Sequence, residues 1–138
     1  MNEYNVYALD SNIISYFLKK TGGIDRAIQT SVAHGHSITI IPIAYYEVKR
    51  GLIANNALKH IKIFENLCTH FGVGNFNKSV LSVAAEIYVA LRAKGKLIED
   101  ADILVAAYCV ANNFTLVTHN SKHFCNIDGL NIVDWVEE

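Results

Sequence analysis

Between Ile98 and Cys109 the chain reads IEDADILVAAYC: three carboxylates, Glu99, Asp100 and Asp102, fall within four residues and run directly into seven uncharged ones. A solvated acidic patch does not pass straight into a core segment, so the charges and the apolar run belong to one element. A helix that begins near Glu99 accounts for both. Its first turn holds the carboxylates, where the positive end of the helix dipole favours negative charge. Ala106 and Ala107 are small enough to let the remainder press closely against a sheet. Taken alone, the stretch is a buried helix with an acidic N-terminal turn. Whether its acids do chemistry depends on which other carboxylates reach them.

The rest of the chain alternates short apolar runs with helical periodicity. Val6 to Leu9 is a strand that ends on Asp10, and Ser11 or Asn12 is placed to cap the amphipathic helix that follows through Leu18. Gly22 and Gly23 break the chain before a predicted helix over Ile24 to Ala33, and His34, Gly35 and His36 form a turn. Ser37 to Ile41 is a strand stopped by Pro42, which suits the first turn of a third helix. On that helix Ile43, Glu47 and Gly51 share a face, so Glu47 is a charge on a stripe otherwise apolar or small. Ala57 to Cys68 is helical, Phe71 to Phe76 a short strand loosened by Gly72 and Gly74, and Ser79 to Ala93 a long helix ended by Gly95. Phe114 to Val117 is a strand leading into Thr118, His119 and Asn120, and Leu130 to Val133 is a last strand before Asp134 and Trp135. Strands that alternate with helices and lack hairpin signals predict an α/β fold, a parallel sheet sandwiched by helices. With 138 residues, 51% of them apolar, the expectation is a single domain over residues 1–138.

Composition narrows the function. No run approaches the roughly 18 apolar residues of a membrane span, and MNEYNVYALD has neither part of a signal peptide, so a cytoplasmic protein without membrane contact is expected. Cys68, Cys109 and Cys125 are too scattered for a disulfide framework or a metal knuckle and are expected to be reduced packing residues. The net charge of −1 argues against nucleic-acid binding through bulk positive charge. If Asp10, Glu47, Asp100 and Asp102 gather in one site, however, nine of the thirteen acids remain against twelve Lys and Arg, an excess of +3 over the remaining surface.

Polar residues at the carboxyl ends of strands are where open α/β sheets bind ligands, and two strands here end on Asp10 and Asn120. Glu47 and Asp102 lie near the starts of helices and can reach the same edge. Such gathered carboxylates repel unless they take up protons or a cation, and all-oxygen ligands suit Mg2+ or Mn2+ rather than zinc. His119 and His123, with Cys125 nearby, match no compact zinc motif and are expected in structural or substrate-contacting roles. There is no Walker loop, G-x-S-x-G elbow or G-x-G-x-x-G, so the nucleophile has to be water.

YALDSNIISYFL, Glu47 within IPIAYYEVKRG, Asp102 within DADILVAAYC, and FTLVTHNSKHF followed by GLNIVDW together resemble a PIN domain of the VapC-type toxin family, across nearly the whole chain. The resemblance implies a Mg2+- or Mn2+-dependent endoribonuclease of a type II toxin–antitoxin system, with Asp10, Glu47 and Asp102 as the acidic triad and Asn120 at the usual fourth metal position. It implies 5′-phosphate and 3′-hydroxyl products from a tRNA or rRNA loop, a homodimer, and a cognate antitoxin that occupies the site in a hetero-oligomer. The wider family usually has an acid at the position of Asn120, and the amide weakens a second metal site. Asp100 and Asp102 are separated by about 200° of helical rotation, so Asp102 is assigned the ligand role and Asp100 an accessory one. Ser11 and Thr118 are expected to hydrogen-bond the carboxylates, and Lys49, Arg50 and Lys122 to hold the RNA backbone. Tyr45, Tyr46 and the segment from Leu52 to Phe64 are candidates for the antitoxin groove. The alternatives are a non-catalytic PIN-like binding module and an RNA-processing PIN nuclease without a toxin role. A magnesium-dependent phosphatase lacks its signature, since Asp10 is followed by Ser11 and Asn12 rather than by the second acid of D-x-D.

Overall fold

The computed structural model describes residues 3–137. Four strands, β1 (Val6–Leu9), β2 (Ser37–Ile40), β3 (Thr115–Val117) and β4 (Asn131–Val133), form one sheet in the order β2-β1-β3-β4 with every pair parallel. Parallel neighbours cannot be joined by tight turns, and the crossovers are helical: α1 (Ser11–Leu18), α2 (Ile24–Ala33), α3 (Pro42–Ala54), α4 (Leu58–Phe71), α5 (Lys78–Lys94) and α6 (Asp100–Asn112). The architecture is the α/β sandwich expected from the alternation of periods. None of the helices among the described residues is long and apolar enough to cross a membrane.

The register of the two central strands positions the site. Leu9 pairs with Ile40 on one side and Val117 on the other, and all three are buried. The residues that follow, Asp10 and Thr118, therefore emerge side by side at the carboxyl edge. There the Asp10 N–H donates to the Val117 carbonyl at 3.0 Å, and the Thr118 N–H to the Val133 carbonyl at 3.0 Å. The chain crosses from β1 to β2 in one direction while β3 lies on the other side of β1, so this edge is a topological switch point, where a crevice opens.

α6 begins at Asp100 after Glu99, carries Asp100 and Asp102 in its first turn, and buries Ile103, Val105, Ala106, Ala107, Tyr108 and Cys109. A helix apolar on nearly all sides belongs inside. Three expectations are corrected. α1 is capped by Asp10 itself, whose Oδ1 accepts the Ser11 N–H at 2.8 Å, rather than by Ser11 or Asn12. Residues 71–76 form no strand: Val73 makes one bridge to Ile40, flanked by bonds to Gly72 and Gly74. Gly72 turns away at φ +85°, and Gly74 leaves room for Tyr108, whose Oη lies 1.8 Å from where a Cβ at position 74 would sit. Cys68 and Cys109 are buried free thiols, but Cys125 is exposed.

Candidate active site at the carboxyl edge of the sheet

Asp10 is the anchor. Only 5% exposed, it combines two roles that its place between β1 and α1 imposes. Its Oδ1 caps the helix, and its Oδ2 accepts the Thr118 hydroxyl at 3.0 Å. Thr118 Oγ1 in turn accepts from Asn12 Nδ2 at 3.2 Å and from the Asn120 N–H at 3.1 Å, while Asn12 Oδ1 accepts the His119 N–H at 3.1 Å. The ends of β1 and β3 are thereby stitched together by side chains where the sheet's own ladder stops. In the sequence Asn12 stands out only as a candidate cap for α1. Its amide both donates and accepts across the edge, a role no local pattern announces.

Glu47 comes in from α3 and Asp102 from the first turn of α6, both half-buried. Burial pushes the Asp10 carboxyl above its ordinary value against the pull of Ser11 and Thr118; the charge of Asp102 adds to the rise, and His123 opposes it. Glu47 is raised too, by burial first and then by Asp10 and Asp102, with a hydrogen bond to Ser11 and the charge of Arg50 acting the other way. Asp10 and Glu47 thus share one field with Asp102, whose charge disfavours ionisation of both. Among the described residues no group of three or more His, Cys, Asp or Glu side chains is drawn together tightly enough to hold a metal ion.

The flanking residues divide. Asp100 is exposed and lines a groove against α5 with Leu81, Tyr88 and Ile103, on a different side of α6 from Asp102. Asn120 is exposed at the rim and touches the network through its backbone N–H. Lys49 faces α4, where its ammonium pairs with Glu65, which also accepts the Tyr45 hydroxyl at 2.9 Å. Tyr45 stacks on Phe64 at 5.4 Å, so this residue belongs to the α3–α4 contact rather than to an open groove. Arg50 is exposed and lies over the Tyr46 ring at 5.0 Å; Lys122 is exposed as well. His119 pairs with Asp134 at 2.9 Å and meets the Tyr16 ring edge-on. His123 Nε2 lies 2.8 Å from Asp102 Oδ2, the contact with the acids that spacing along the chain did not reveal.

A PIN domain family model matches residues 7–130, and the chain belongs to that family. Among curated relatives, Ribonuclease VapC1 of Haemophilus influenzae is 26% identical over 133 residues, covering 96% of this chain and 99% of the relative. Ribonuclease VapC1 of Methanocaldococcus jannaschii is 29% identical over 126 residues, covering 90% and 83%. Among solved structures, VapBC2 from Rickettsia felis bound to a promoter DNA fragment superposes with a TM-score of 0.87 at 25% identity, covering 94% of this chain and 98% of that one. VapBC-1 from nontypeable Haemophilus influenzae gives 0.81 at 27% identity, with the same coverage of 94% and 98%.

Proposed function

We propose that the chain is a divalent-metal-dependent endoribonuclease, the toxin of a type II toxin–antitoxin pair, that hydrolyses structured RNA. The observation that carries this reading is the meeting of Asp10, Glu47 and Asp102 at the carboxyl edge of a PIN-domain sheet, in a chain whose relatives are called ribonuclease VapC. The donors fit a hard cation: the raised carboxyls of Asp10 and Glu47 beside Asp102 are relieved by positive charge, and oxygen ligands match Mg2+ or Mn2+. Asp10, Glu47 and Asp102 would hold it, with Asn120 at the rim. When bound, such an ion lowers the pKa of a water and offsets charge on the phosphate oxygens.

The protein's own part is orientation. Ser11 and Thr118 fix both oxygens of Asp10, and Ser11 also holds Glu47. Arg50 and Lys122, both exposed, hold the RNA backbone. The same acids attract a guanidinium or ammonium group, so a basic side chain from an antitoxin blocks cleavage by taking the cation's place.

Purified chain incubated with tRNA and Mg2+ or Mn2+ is expected to cut it, with Asp10→Asn, Asp102→Asn and Glu47→Gln inactive; full cleavage in excess EDTA overturns the metal dependence. Expression alone is expected to arrest growth, with rescue by an antitoxin encoded beside it. Equal slowing by wild type and Asp10→Asn at equal soluble levels overturns the toxin role.

A further inference from the structure

We infer that His123 is a ligand of the metal site, supplying one nitrogen through Nε2 beside Asp102 and shifting the site's preference from magnesium towards manganese. The inference rests on the metal-dependent reading above and adds a donor that changes its chemistry. Two neighbouring ligands around a small divalent ion, each at about 2.1 Å and at right angles, are about 3 Å apart. His123 Nε2 and Asp102 Oδ2 stand 2.8 Å apart, close to that spacing.

The imidazole is held in this attitude from behind. His123 sits in a short 3-10 helix, Ser121–Phe124, with its N–H donating to the Asn120 carbonyl at 3.0 Å. The next residue, Phe124, is 1% exposed and meets the imidazole edge-on at 5.5 Å. The ring is half-buried and lies close to Asp10, the most enclosed of the three acids. Asn120, at the position expected to supply a ligand, is exposed and engages the edge through its backbone. His119 is occupied elsewhere, by Asp134.

Nitrogen at this position has a chemical consequence. Mg2+ selects oxygen ligands and gives up water reluctantly, whereas transition ions accept imidazole readily. Three carboxylates alone leave the choice between Mg2+ and Mn2+ to availability; an imidazole among them favours Mn2+. Exchange of His123 for a carboxylate restores the all-oxygen set.

The test uses the full chain without a polyhistidine tag, titrated with Mn2+ and followed by loss of the free-ion EPR signal, with pulsed EPR reading nitrogen coupled to the bound ion. Wild type is expected to show 14N coupling from one imidazole. His123→Asn and His123→Asp are expected to bind Mn2+ without it, and in His123→Asp the preference for Mn2+ over Mg2+, measured by competition, falls about tenfold. Bound Mn2+ without 14N coupling in the wild type overturns the ligand role even if neither variant folds, and leaves metal dependence standing. Coupling that survives in His123→Asn overturns it as well. Failure of the wild type to bind Mn2+ at all overturns both this inference and the metal-dependent reading.

Discussion

Replacing Thr118 by valine keeps the shape of a fully buried side chain and removes only its hydroxyl. That hydroxyl donates to Asp10 Oδ2 at 3.0 Å and accepts from Asn12 Nδ2 at 3.2 Å and the Asn120 N–H at 3.1 Å. A hydrogen bond to a charged group contributes roughly 1.5–3 kcal/mol and a neutral one about 1 kcal/mol. Asn12 and Asn120 lie near the rim and can turn partly to water, so the expected loss is about 3 kcal/mol, or roughly 10 °C in Tm for a domain of this size. Much of it has to depend on pH. The Asp10 carboxyl is already raised above its ordinary value of 3.8 by burial, and removing a donor raises it further. A carboxyl harder to ionise in the folded than in the unfolded chain destabilises the fold above its folded pKa, and the effect fades as pH falls towards the unfolded value. In urea unfolding with EDTA present, Thr118→Val is therefore expected to show its full deficit near pH 7.5 and a clearly smaller one near about pH 4. An unchanged midpoint at neutral pH, or a deficit just as large in acid, refutes the role assigned to this hydroxyl.

Asp102→Asn is expected to abolish RNA cleavage while Asp100→Asn keeps most of it, because Asp100 is exposed on the α5 side of the helix; equal losses in a single-turnover assay would show both acids at work in one site. Lys49→Ala is expected to lower Tm slightly by freeing Glu65 and to leave RNA affinity nearly unchanged. Arg50→Ala and Lys122→Ala each weaken binding and reduce the salt slope by about one, which filter binding across a salt series measures. Gly74→Ala places a Cβ 1.8 Å from Tyr108 Oη and is expected to destabilise the protein by about 1–3 kcal/mol, with part recovered in the double variant carrying Tyr108→Phe; thermal melts with no such recovery would place the clash elsewhere.

Much of this protein was legible before folding was considered. Burial and secondary structure follow from local periodicity: β-branched runs ended by Asp10 and by Pro42, a helix stopped at Gly95 in the left-handed region at φ +67°, and an acidic first turn running into Ala106 and Ala107. The parallel sheet followed as well, because strands separated by helices have few other ways to pair. Even the separation of Asp100 from Asp102 was contained in helical rotation. Tertiary structure alone decided the partners. Asn12 meets Thr118 across 106 residues and His123 meets Asp102 across 21, and neither separation has a period that a local pattern can carry. Lys49 lies two residues after Glu47 yet turns to Glu65, since two residues span about 200° of helical rotation and the next helix offers a carboxylate. Residues 71–76 have strand-like apolar residues, but only Val73 pairs, in a single bridge to Ile40. Local sequence sets which face of an element is apolar; which polar groups then share a field is set only when the sheet order β2-β1-β3-β4 brings distant strand ends to one edge.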